Sequence, residues 1–273
     1  MITKGPQEGY CNICSKYTQL TRDHIPPQGC ITPAALELRT LNQHISYKNR
    51  KPLFSQNGLN IRSICGQCNN TLLGTNYDPE LISLSRQLAN LVRVQNELGF
   101  SLPQQVSLRV KPQKLARSVI GHVLAGTLPS TSTPPISAPF PDALRRYFLD
   151  SSSPMPNELD VYYWIYPSRQ QIVINYLALA LDSGKGFIAG SSLLKFFPLA
   201  FWIVWNKPNT FSIDFPKLLK NKSLDLDEPN NLIVDLTKIP HLSWPEVPDG
   251  NQIVMYRDEL TVLARPKRPK GVG

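Results

Sequence analysis

The sequence predicts an α+β protein, and three observations carry that reading. Leucines at helical spacing dominate residues 78–126, aromatic and β-branched runs dominate the chain beyond residue 158, and two CxxC pairs bracket an early stretch with little helical periodicity. A chain of 273 residues is long enough to bury one large core or two small ones. Texture divides it into four segments: 1–77 with the CxxC pairs, a helical connector over 78–126, a Pro/Ser-rich linker over 127–157, and a β-rich domain over 158–273.

The helix at 78–99 is announced at both ends. Asp78 suits its cap, Pro79 its first turn and Gly99 its stop, while Leu81, Leu84, Leu88 and Leu91 form one apolar stripe. A second helix follows Pro112, with Leu115, Val119, Ile120 and Val123 inward and His122 beside them as a packing residue. The linker text LPSTSTPPISAPFP gives way to a short helix at DALRRYFLD (142–150), and SSSPMPN breaks the chain again.

Strands are then expected at 161–167, 171–181, 196–205, 231–236, 252–257 and 260–264, with helices allowed around Ser191–Phe196 and Phe215–Lys222. The turns DSGKG (182–186) and PDGN (248–251) separate some of these. DSGKG lacks the spacing and the following Ser/Thr of a phosphate loop, so it reads as a hairpin turn. Tyr162, Tyr163, Trp164 and Tyr166 read as core and edge of a sheet rather than as a base-stacking platform.

Composition narrows the function classes. No basic-then-apolar leader is present, and the most apolar run, FFPLAFWIVW, is too short to span a bilayer. A cytoplasmic protein with no membrane partner is the expectation. The formal net charge of +9 favours a polyanionic partner. Residues 81–150 carry eight Lys/Arg against three acids, and the chain runs out in RPKRPK (265–270).

Of five cysteines, Cys11-Asn-Ile-Cys14 and Cys65-Gly-Gln-Cys68 form two knuckles, tight turns that aim two thiolates at one point. Two knuckles supply the closed tetrahedral sulfur shell of a structural zinc site. Metal binding and local folding are then one event. Cys30 is left over as a buried thiol. His44 and His241 read as loop residues.

Between and beside the knuckles lie Asp23-His24 in LTRDHIPP, Asn60 in NIRSIC, and Asn69 directly after Cys68. This order resembles the zinc-stapled HNH endonucleases of the ββα-metal type, and the resemblance covers roughly the first 75 residues. It implies a strand carrying Asp-His, a loop, an Asn opening the second strand, and a final His or Asn on a helix. His24 is then the general base for water. Asp23 and Asn69 hold one catalytic Mg2+ or Mn2+, a hard cation that takes oxygen ligands. Asn60 orients the histidine rather than touching the metal; Asn57 lies near, and Asn60 is preferred on its distance to Cys65.

Adjacent strand residues point to opposite faces, so a strand end or bulge has to bring Asp23 and His24 together, and Pro26-Pro27 fit such an end. Many relatives continue with Lys-Gly or Arg-Lys, where this chain has Thr71-Leu72-Leu73-Gly74. DNA affinity is therefore expected from the long loop 25–59, where Lys48, Arg50 and Lys51 can track phosphates.

The resemblance implies DNA as the partner and phosphodiester hydrolysis as the reaction, in the setting of bacterial restriction or anti-phage effectors. The β-rich domain is left with targeting, control or dimerisation of the chain. The alternative is a catalytically inactive zinc-stapled nucleic-acid-binding or scaffolding protein.

Overall fold

The computed structural model describes residues 5–45, 53–98, 103–127, 131–180, 189–207, 209, 212–247, 253–257 and 261–266. Lys48, Arg50, Lys51, Gly99, the turns at 182–186 and 248–251 and the basic residues beyond Pro266 lie outside them, as does the side chain of His44. Secondary structure is mixed α and β, with most of it in sheet.

The described residues build three sheets. The first is β1 (Glu8–Tyr10), β2 (Tyr17–His24) and β5 (Asn60–Cys65), antiparallel in the order β1-β2-β5. The connection from β2 to β5 holds β3 (Leu36–Arg39), α1 (Leu41–Ile45) and β4 (Leu53–Ser55). These strands leave the first sheet and join the second, an eight-stranded antiparallel sheet in the order β4-β3-β13-β8-β9-β10-β7 with β12 also on β8. Its other members are β7 (Leu159–Ile165), β8 (Gln171–Ala180), β9 (Ala189–Phe196), β10 (Leu199–Trp205), β12 (Ile253–Met255) and β13 (Thr261–Pro266). The third is a ribbon of β6 (Gln105–Val110) and β11 (Asn230–Asp235).

The first and last of the four textures therefore share one sheet: β3 pairs with β13, Leu36↔Pro266 through Arg39↔Leu263. The segment boundaries mark changes of composition along the chain, while a single apolar cluster runs from Cys11 to Ala264.

Both faces of the large sheet are covered, and strict alternation shows it. Val161, Tyr163, Leu194, Phe201 and Ile203 belong to the cluster that includes the helices, while Tyr162, Trp164, Leu193, Trp202 and Val204 belong to a second cluster on the opposite face. Trp244 closes that second face, its ring 5.0 Å from Trp202 and 5.2 Å from Trp164. A fully buried Lys195 fastens the covering segment, paired with Glu246 at 2.7 Å and donating to the carbonyls of Leu242 and Trp244. The aromatic stretch of β7 is core, as the sequence suggests, and its free edge is lined by Pro216–Leu218.

Three sequence expectations change here. The run 196–205 is not one strand: β9 ends at Phe196, Phe197-Pro198 turns the chain, and β10 starts at Leu199. Proline has no N–H for a ladder, so the apolar run splits there. Ser191–Phe196 is strand, because its side chains alternate between two buried faces. Phe215–Lys222 is irregular and follows the edge of β7, with a bridge Tyr162↔Lys217.

Helices fill the space between the first sheet and the second. A π-helical segment, Gln67–Tyr77, continues directly into α2 (Asp78–Leu98). Asp78 has helical backbone (φ −60°, ψ −33°) and is therefore not an N-cap, since the helix begins one whole segment earlier. α3 (Pro112–Ala125) crosses the centre of the molecule, and every residue but Lys114 is buried. α4 (Pro139–Leu149) packs on it, Arg145 reaching the carbonyls of Asn12 and Ile136.

The end of α3 meets the first knuckle. Asn12 Nδ2 donates to the carbonyls of Leu124 and Thr127, and Ser63 Oγ donates to that of Ala125. Carbonyls in a last helical turn have no intrahelical partner, so these side chains satisfy groups that burial would otherwise strand. The sheet that carries the two CxxC turns and the central helix are thus one unit.

Candidate functional site

The four-cysteine cluster grows from local turns. Cys11 and Cys14 sit in the turn between β1 and β2, where the Ser15 amide bonds to the Cys11 carbonyl at 2.9 Å and Ser15 takes φ 58°. Cys65 ends β5 and Cys68 lies in the first turn of the π-helical segment. The four Sγ atoms all lie within 4.8 Å of one another. A zinc ion with Zn–S bonds of about 2.3 Å spaces its sulfurs about 3.8 Å apart. Cys14 Sγ and Cys65 Sγ are 3.8 Å apart, and the Cys65 amide donates to Cys11 Sγ. The contact with Cys11 foremost, with that of Cys68 beside it, draws the Cys14 thiol down to about 7 against the opposing contact with Cys65. The set fits a structural tetrahedral metal ion such as zinc. Cys30 stands apart, its thiol pushed up by burial.

β2 and β5 place the other expected residues. Their register runs His24↔Asn60, Asp23↔Ile61 and Arg22↔Arg62, then shifts so that Thr21 faces Ile64 and Ser63 is the extra residue. Alternation puts Arg22, His24, Asn60 and Arg62 on one face, and Asp23 with Ile61 on the other. His24 is half-buried and lies 3.2 Å from the Gln28 amide through Nε2. The loop that carries Gln28 is itself fixed: Arg86 donates to the Gly29 carbonyl and Ser85 to that of Cys30. Asn60 is buried and donates to the carbonyls of Asn57 and Gly58, tying off the turn that enters β5. Asn69 Nδ2 donates to Thr21 Oγ1 and to the Arg22 carbonyl, bracing β2 beyond the end of β1. His24 and Asn60 are therefore brought together, and Asn69 is locked to the strand that bears His24.

Asp23 goes elsewhere. The bulge lies before it rather than between it and His24, so the two side chains keep opposite faces. Asp23 Oδ2 is 2.8 Å from His122 Nδ1, and His122 Nε2 is 2.9 Å from Asp78 Oδ1, which also accepts from Ser118 Oγ. All three members of this Asp–His–Asp trio are buried, His122 completely. Burial alone would lower the His122 pKa, but the flanking carboxylates of Asp23 and Asp78 raise it to about 10, so the imidazole is a buried cation. Asp23 is pushed above the ordinary carboxylate range by burial, with His122 pulling the other way.

His122 is thus no simple packing residue. The sequence shows only a polar residue beside an apolar helical stripe; its partners lie 99 and 44 residues away. The one available signal is that a histidine on a helix buried all round must be paired. His241 is exposed and accepts from Ser243 Oγ, as a loop histidine would.

Fold and site define a mixed α/β protein with a four-cysteine cluster that could hold a metal ion and a histidine-bearing strand pair beside it. Compared with family models, with curated proteins and with solved structures, the chain matches none. No helix among the described residues is long and apolar enough to cross a membrane.

Proposed function

We propose that the protein is a metal-dependent HNH endonuclease of the ββα-metal type that hydrolyses phosphodiester bonds in DNA, with structural zinc on Cys11, Cys14, Cys65 and Cys68. The observation that carries this reading is the pairing of His24 with Asn60 across β2 and β5, an antiparallel pair whose far end is gathered by the four cysteines and whose middle is braced by Asn69 at Thr21 and Arg22.

In this reading His24 accepts the proton of the attacking water, its ring oriented by Gln28 and by the turn that Asn60 ties. Asp23 and Asn69 are the residues that would hold Mg2+ or Mn2+. Asp23 keeps one carboxylate oxygen beyond the His122 bond, and Asn69, with its nitrogen spent on β2, keeps its amide oxygen. The divalent ion would supply charge neutralisation at the phosphate and the leaving oxygen. The β-rich part of the chain serves targeting, control or dimerisation.

One observation favours a second reading, a zinc-stapled nucleic-acid-binding protein without catalysis: Asp23 is turned toward buried His122 rather than toward His24. Plasmid DNA incubated with Mg2+ or Mn2+ separates the two. Wild-type protein should nick or linearise the plasmid, and His24→Ala should lower the rate by about 10²–10⁴-fold. Intact DNA under both metals leaves the binding reading, and equal cutting by His24→Ala removes His24 as the base.

A further inference from the structure

Arg22 and Arg62 face each other across β2 and β5, two register steps from the His24–Asn60 pair and on the same face. Arg22 is exposed and Arg62 half-buried. Neither side chain has an ion pair or hydrogen bond among the described residues, whereas Arg93, Arg145 and several lysines are paired with carboxylates. Like charges set directly opposite in a sheet are destabilising. A register shift immediately beyond Arg22 is what makes them opposite: it realigns the strands so that Arg22 meets Arg62 and His24 meets Asn60 in one two-by-two array.

Arginine presents a planar fork of donors that matches phosphate oxygens, and two forks side by side can grip one phosphate from two directions. We infer that Arg22 and Arg62 form a phosphate-binding subsite beside His24 that holds a backbone phosphate of a DNA strand. The inference rests on the nuclease reading for its choice of DNA, and it supplies a phosphate contact where the chain has Thr71-Leu72 after the last motif residue. Because the two arginines lie beside His24, the phosphate they grip is the one to be cut or its immediate neighbour. A phosphate bound there offsets the like-charge repulsion between them.

The test is fluorescence anisotropy of a labelled 20-bp duplex with the full chain, without added divalent metal, from 50 to 200 mM salt. The proteins are wild type, Arg22→Gln, Arg62→Gln, the double Gln variant, the double Lys variant, and Arg93→Gln on the exposed face of α2 as a charge control. Each phosphate contact contributes about 0.9 to the slope of log affinity against log salt. Each single Gln variant should therefore shrink the salt-induced loss of affinity by about 3.5-fold, and the double by about 12-fold. The double Lys variant should restore the slope, because lysine keeps the charge, and Arg93→Gln should leave it unchanged.

A double Gln variant with the wild-type slope, an equal effect from Arg93→Gln, or no duplex binding by wild type would each overturn the subsite. If the double Gln variant fails to fold, the comparison of double Lys with single Gln variants decides the same question. The nuclease reading stands or falls separately: arginine-dependent binding without plasmid cutting keeps the subsite and removes the enzyme, and cutting with arginine-independent binding does the reverse.

Discussion

Removing His122 should expose how much of the fold hangs on one buried cation. In His122→Ala, the carboxylates of Asp23 and Asp78 stay buried, 5% and 6% exposed, and lose the group that each contacts at under 3 Å. Taking one partner from a buried ionic pair costs about 3–5 kcal/mol, because the remaining charge is left uncompensated. Two carboxylates share this cation, so the upper end of that range is expected. Urea unfolding followed by far-ultraviolet circular dichroism measures it. Asp23→Asn in the same background should recover part of the loss, giving a coupling energy of about 1–3 kcal/mol in a double-mutant cycle. The pH dependence has a definite sign. The pKa of His122 is raised from 6.5 to about 10, so its contribution is fully present below about 6.5 and fades as pH climbs toward 10. Wild type should lose stability across that window, and His122→Ala should lose much less. A cost under about 1 kcal/mol, or a variant with the wild-type pH profile, would refute the buried-cation argument.

Two further outcomes are expected. Cys65→Ser should lower the metal content from about one zinc per chain toward none by elemental analysis, while Cys30→Ser leaves it unchanged; equal zinc in both variants sinks the four-cysteine site. Gly121→Ala should cost about 1–3 kcal/mol. A Cβ there would sit 2.5 Å from Phe148 Cε2 and 2.6 Å from Leu73 Cδ2, deep in the central helix. A thermal midpoint within a degree of wild type would show that α4 and the π-helical segment yield more easily than their packing suggests.

Local chemistry was legible and long-range pairing was not. The CxxC spacing marks the cluster because each knuckle is built by adjacent residues, and Pro112 marks α3 because proline favours a helix's first turn. The strands at 171–180, 230–235 and 261–266 declare themselves through β-branched runs, nearly at their observed bounds. By contrast, β3 and β4 are short strands in a polar loop that pair with each other, and β13, the other partner of β3, is more than 200 residues away. Pattern within a window cannot see such a partner. Asp78 misled for a similar reason: it looks like a cap beside Pro79, yet the helix had already begun and its carboxylate serves His122 and Ser118. In the site, the cysteines, His24 and Asn60 stand in order along the chain, whereas the partner that holds Asp23 away from His24, His122, lies 99 residues off.

The stitching of the β2–β5 connection also sets a timetable. Cys11 and Cys65 are 54 residues apart, so the four-cysteine cluster can close early in synthesis. The loop that joins the two site strands waits for β13: the Leu41 amide donates to Thr261 Oγ1, 220 residues later in the chain. At about 5–20 residues per second, that is a delay of about 10–40 s on the ribosome. During it, the β3–β4 pair has an open edge where β13 will add, and edge strands left open are the ones other chains add to. The last strand therefore does two jobs at once, anchoring the loop beside His24 and closing the exposed edge of the nascent protein.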